Sequence, residues 1–314
     1  MTNKSTLSLV VPVFNEADSI TPFINKVKSV FSSQPDIGLE IIFINDGSSD
    51  QTLENLIEEQ TLLPIIKIID LSRNFGKEAA ITAGLEQSKG DAVVVIDVDL
   101  QDPPELILPM LEKWQEGFEV VLACRSNRES DSWLKRASAN GFYWVHNLLS
   151  NPKIPANVGD FRLMDRVVVE ALKQLPETHR FMKGLFSWVG FNSTVIHYSR
   201  PKREFGVSKF NGWKLWNFAL EGLTSFSTDP LRIWTYIGLF VSLSSFLFAV
   251  FIAIRVVVSG VDVPGYASIM VAVTFLGGLQ LIGIGVLGEY MGRTYIESKR
   301  RPNYIIRKIF DVKN

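Results

Sequence analysis

The chain has 314 residues, with 32 Lys and Arg against 33 Asp and Glu and a formal net charge of -1. That length supports one good-sized α/β domain plus a smaller appendage, and nothing in the charge balance points to nucleic acid. The single cysteine, Cys124, excludes an intramolecular disulfide, and the scattered His146, His179 and His197 offer no zinc-ligand spacing.

The opening MTNKSTLSLVVPVFNE lacks a charged segment followed by a long apolar one, so no cleavable signal is expected and the first domain is expected in the cytosol. From residue 7 to about 124, the apolar runs LSLVVPV, LEIIFIN, IIKIIDL, AVVVIDV and EVVLAC alternate with segments of helical period such as ADSITPFINKVKSVF and PPELILPMLEKWQ. This is repeated βα architecture and predicts an α/β fold on a mostly parallel sheet. Residues 131–149 read as an aromatic-rich helix, NVGDFRLMD as a strand or loop, DRVVVEALKQL as a helix capped by Asp165, and FNSTVIHY as a last strand.

Residues 200–209, RPKREFGVSK, form a basic loop, after which the solvent changes. NGWKLWNFALEGLTSFS puts Trp213, Trp216, Leu220 and Leu223 near one helical face, as in a helix lying among lipid headgroups. Residues 231–258 and 266–288 are long and nearly uncharged, each exceeding the roughly 20 residues that cross a bilayer core. The connector SGVDVPG carries no Lys or Arg while GRTYIESKRRPNYIIRKIFDVKN is strongly basic, so both termini are expected on the cytoplasmic side of a multi-pass cytoplasmic-membrane protein. The expected division is a cytosolic domain over 1–210, an interfacial helix over 211–229, a two-helix transmembrane hairpin over 230–290 and a basic cytoplasmic tail over 291–314. The small-residue run FLGGLQLIGIGVLG offers a face for a homo-oligomer.

The chemistry concentrates where apolar runs end: Asn15-Glu16, Asn45 to Ser48, Asp70 to Gly76 and Asp97 to Asp102. In an open α/β sheet that edge is where ligands bind. Asp97 and Asp99, at the exit of VVVIDVDLQDPPE, can both reach one divalent ion, and Mg2+ or Mn2+ so held completes its shell with water and phosphate oxygens. A nucleoside diphosphate is the matching ligand. The same residues also suit ordinary acidic turns and caps.

VVPVFNE, INDGSSD, DVDLQDPPE and REFGVSKF resemble family 2 glycosyltransferases of the GT-A fold. With GEYMGRTYIESKRRPNY, the chain is similar within that family to polyisoprenyl-phosphate glycosyltransferases of the bactoprenol glucosyltransferase type. The resemblance implies that Pro12, Phe14, Glu16 and Asp46 line a base and ribose pocket, and that Asp97 faces the nucleotide. It also implies that Asp99 holds the metal with Gln101 as an additional contact. Arg73, Asn74, Gly76 and Lys77 sit where a helix N-terminus could meet phosphate. A cationic clamp for a lipid phosphate is expected from Arg125, Arg128, Arg136, Arg203, Ser208 and Lys209, with Arg203 and Ser208 matching the family's R-x-x-G-x-S-K pattern; attraction to anionic headgroups is the plainer role for Arg128, Lys135 and the tail. Asp160, in VGDFRLMD, is the remaining carboxylate for a base or a sugar contact, at a point where the sequence departs from the related mannose synthases. The implied partners are a nucleotide sugar, UDP-glucose above all, and undecaprenyl phosphate. GDP-mannose or an aminoarabinose donor, a processive polysaccharide synthase, and a lipid-binding scaffold or flippase are the alternatives. The synthase ranks low because two spans make no conduit and no QxxRW motif occurs.

Overall fold

The computed structural model describes residues 5–125, 158–175, 177, 180, 182–198, isolated helical positions between 234 and 258, and 265–311. They fall into two compact units, residues 1–222 with 301–314, and residues 223–300.

In the first unit, β1 (Thr6–Val13), β2 (Gly38–Asn45), β3 (Ile66–Leu71) and β4 (Ala92–Val95) alternate with α1 (Ile20–Phe31), α2 (Thr52–Leu62) and α3 (Lys77–Gln87). After α4 (Ile107–Gln115) come β5 (Val120–Arg125), β6 (Val158–Asp165), α5 (Arg166–Lys173), α6 (Met182–Trp188) and β7 (Ser193–Tyr198). One eight-stranded sheet runs β7-β5-β6-β4-β1-β2-β3-β8, where β8 is Ile306–Phe310. β1 to β4 are mutually parallel where they pair, as predicted, because each crossover carries a helix.

The sheet departs from the parallel expectation at β6, which runs antiparallel to both β4 and β5, and at β8, antiparallel to β3. NVGDFRLMD is thus a strand, and its hand is invisible in its composition. The expected basic tail is corrected more substantially. Its first residues continue a helix to Ser298, and IRKIF then completes the edge of the sheet. Charge hides it as a strand. Only Ile306 and Phe310 are half-buried, with Arg307, Lys308 and Ile309 exposed, as an edge strand tolerates.

Both faces of the central strands are buried, which is why they read as continuous Val and Ile. Leu7, Leu9, Val11, Phe43 and Val94 pack with Phe23 and Ile24 of α1 and Met110 of α4 on one face. On the other, α3 approaches so closely that a Cβ at Gly84 would overlap Val10 and lie 2.7 Å from the Ile44 Cδ1. Asp165 caps α5 as expected, accepting the Val167 N–H at 2.9 Å.

The second unit contains α7 (Tyr266–Ser298), 33 residues and so about 50 Å long at about 1.5 Å per residue. Its Phe275–Ser298 stretch is the one helix among the described residues long and apolar enough to cross a membrane. Leu281, Ile282, Ile284 and Leu287 on it are exposed, as are Phe240, Leu247 and Phe251 at the helical positions of the preceding segment.

Candidate active site

The C-terminal ends of β1, β2 and β4 and the start of α3 enclose a cleft of about 440 Å³ lined by Pro12, Phe14, Glu16, Asp46, Lys77, Asp97 and Asp99, with Asn74 and Gly76. That volume lies in the range of ligand pockets, about 300–1,000 Å³. The residues came from four separate motifs, and the parallel crossovers bring them to one sheet edge.

The floor is a network of loop-to-loop hydrogen bonds. Asn15, in the left-handed region at φ 53°, accepts from the Ser49 N–H at 2.8 Å while its own N–H donates to Ser48 Oγ at 3.0 Å. Asn45 donates to Asp70 at 2.8 Å and accepts from the Ser48 N–H at 3.2 Å. Gly47 has φ +66°, and a Cβ there would sit 2.5 Å from the Asn74 nitrogen. Only glycine lets the β2 loop lie against the β3 loop at that point.

Asp46 is 3% exposed and does more than line the cleft. Its two oxygens accept the N–H groups of Phe75 at 2.7 Å and Gly76 at 2.9 Å, fixing the turn that starts α3. Burial raises its pKa despite those hydrogen bonds. Glu16 is likewise engaged at home, accepting from Ser19 Oγ at 3.0 Å.

At the far wall the Lys77 ammonium lies 2.7 Å from Asp97 and 2.9 Å from Asp160. Its side chain is 44% exposed, whereas that of Asp160 is 18% exposed. Burial alone would raise the Asp160 carboxyl, but Lys77, then Lys183 and Arg162, hold it well below the usual range. Conversely, Asp160 and Asp97 hold Lys77 above the ordinary lysine value in spite of desolvation. The Oδ1 of Asp160 is fully buried and has no hydrogen-bond partner among the described residues.

Asp99, 6% exposed, accepts the Gln101 N–H at 3.1 Å across a turn in which Leu100 has φ 58°. Gln101 therefore supports Asp99 through its main chain, and its side chain is not among the cleft-lining groups. Left-handed leucine is rare and costs about 1–3 kcal/mol, the kind of strain that collects at functional turns. Two carboxylates at a strand exit, opening on a cleft with room for phosphate oxygens, suit a divalent cation. Asp97 is already paired with an ammonium, that of Lys77.

Arg125 is not among the cleft-lining residues and is engaged elsewhere, donating to the Tyr198 hydroxyl at 3.3 Å, while Tyr198 donates to Asp102. Arg128, Lys135, Arg136, Arg203, Ser208, Lys209 and the 211–229 helix lie outside the described residues. Three groups beside the cleft carry no sequence signal. Glu78 accepts from the Met182 N–H at 3.2 Å, and burial followed by Asp160 pushes its carboxyl up to about 8. Arg162 stacks on Phe186 at 3.9 Å, and burial pulls its guanidinium down to about 10. Lys183 joins them from α6, lining a second cavity of about 230 Å³ with Arg162. Only tertiary packing, with α3 against β1 and β2 and α6 against β6, gathers them.

A glycosyl transferase family 2 profile matches residues 8–173. A bactoprenol glucosyl transferase of Shigella phage SfV is 57% identical over 302 residues, covering 96% of this chain and 98% of that protein. A prophage bactoprenol glucosyl transferase homolog of Escherichia coli is 54% identical over 304 residues, covering 96% and 99%. Among solved structures, mannosyl-3-phosphoglycerate synthase from Rubrobacter xylanophilus shares the fold at TM-score 0.51 and 19% identity over 69% of this chain and 71% of that one.

Proposed function

The chain belongs to glycosyl transferase family 2, and from that premise we propose that it transfers glucose from UDP-glucose to undecaprenyl phosphate at the cytoplasmic face of a membrane. The observation that carries this reading is near-full-length identity above 50% to bactoprenol glucosyl transferases in a chain whose nucleotide-type cleft is intact. Pro12, Phe14 and Glu16 form the wall against which the base and ribose rest. Asp46 acts at one remove, since its carboxylate is spent on the turn that aims α3 at the diphosphate.

Asp97 and Asp99 would hold Mg2+ or Mn2+, which when bound would supply positive charge against the departing diphosphate. Asp160, kept ionised by its basic neighbours, is the carboxylate that meets a sugar hydroxyl or the incoming acceptor, through the oxygen that Lys77 now holds. The acceptor phosphate has a second pKa of about 6 and arrives largely as a dianion, so it needs little proton removal. The protein's work is to position two anions and to balance their charge. Arg203, Ser208 and Lys209, together with Arg125, Arg128 and Arg136, serve the acceptor phosphate. Residues 230–290 form a membrane hairpin, for which α7 supplies one span of sufficient length and apolarity.

The test is transfer of label from a panel of nucleotide sugars to undecaprenyl phosphate, with and without chelator. Chelator-sensitive transfer from UDP-glucose is expected. Transfer from GDP-mannose or an aminoarabinose donor in its place would reassign the sugar, and no nucleotide release in the presence of lipid would refute the enzyme.

A further inference from the structure

We infer that Lys77 is a resident counter-ion that stands in for the divalent metal, so that metal alone binds poorly and metal with nucleoside diphosphate binds well. The inference rests on the reading of the cleft as a metal and diphosphate site. Lys77 Nζ lies 2.7 and 2.9 Å from the two oxygens of Asp97, a bidentate grip, and 2.9 Å from Asp160. A cation on Asp97 must therefore displace the ammonium or share the carboxylate with it, and either costs electrostatic energy.

Lys77 can leave because it is the first residue of α3, on a four-carbon stem with a side chain 44% exposed. Its alternative partner is also in the cleft. A diphosphate beside Gly76 and the start of α3 would offer the ammonium new oxygens, at a helix end that already favours anions. Each ligand then removes a cost from the other. Metal and nucleotide must raise one another's affinity by the same factor, since binding coupling is reciprocal. The Oδ2 of Asp160 is released from Lys77 in the same exchange, so it becomes available only when the donor is in place.

The experiment titrates full-length protein in detergent with Mn2+, following the free ion by electron paramagnetic resonance, with and without UDP and with chelation by UDP itself subtracted. Wild type should bind Mn2+ weakly alone and more tightly with UDP. Lys77→Met should bind Mn2+ alone more tightly, on the order of tenfold for the loss of two half-exposed ion pairs, and the enhancement by UDP should shrink. Lys77→Arg, which keeps the charge, should remain close to wild type. Lys183→Met removes a nearby charge that touches neither carboxylate and should change little.

A gain of affinity cannot come from misfolding. Unchanged or weaker Mn2+ binding in Lys77→Met, or an equal gain in Lys183→Met, would overturn the counter-ion role. If Lys77→Met gains as expected while UDP fails to tighten Mn2+ in wild type, the counter-ion stands and the nucleotide reading falls.

Discussion

Replacing Asp46 by Ala strands two backbone N–H groups, those of Phe75 and Gly76, and should cost stability of about 1–3 kcal/mol as well as donor affinity. Chemical denaturation and nucleotide titration read the two effects separately. Asp160→Asn should lower turnover far more than donor affinity, and equal losses in both would remove its proposed role. Glu78 makes a prediction of opposite sign to that of most carboxylates. Its folded value of about 8 lies above the ordinary 4.5, so its proton is retained on folding and stability falls as pH rises between those values. Glu78→Gln should therefore raise Tm relative to wild type at pH 8 to 9 and differ little near pH 4, a comparison that thermal melts can make. The meeting of Asp97, Asp99 and Lys77 at one cleft was legible, the carboxylates from a strand exit and Lys77 from the start of a helix. Asp46 was legible as a position but not as a job, since its partners lie 29 and 30 residues away. Glu78, Arg162 and Lys183 could not be read at all, because nothing local marks a charge that tertiary packing will bury.

At the level of elements, the βα period of the first half fixed β1 to β4 and their direction, and with them the edge on which the cleft lies. Strand hand in the second half was illegible, because β6 follows a long excursion whose length constrains nothing. Edge strand β8 was hidden by its charges. Arg307 donates to the Ser72 carbonyl at 2.7 Å and lies 3.5 Å from Asp70, while the Ser72 N–H donates to Ile305 at 2.9 Å. Asp70 in turn holds Asn45, so the strand props the loop network beneath the cleft. Arg307→Ala should weaken donor binding by a few fold with a smaller effect on Tm, and unchanged nucleotide affinity would show that the prop is idle. Gly84→Ala should cost about 1–3 kcal/mol in denaturant unfolding, since the added methyl meets Val10 and Ile44 across a closed interface.

At the level of the whole molecule, composition and hydropathy separate a polar first part from an apolar second, and the chain divides into two compact units, 1–222 with 301–314 and 223–300. Asp99→Asn should remain in the membrane fraction while losing chelator-sensitive transfer, because the site and the apolar helix belong to different units. The division is not a simple cut, for the chain leaves the first unit at residue 222 and rejoins it at 301. That return sets an order in time. A ribosome makes β8 only after it has made α7, so β3 waits with an open edge, a template for wrong pairing, until the apolar helix has emerged. The sheet beneath the cleft closes last, after the apolar helix has been made.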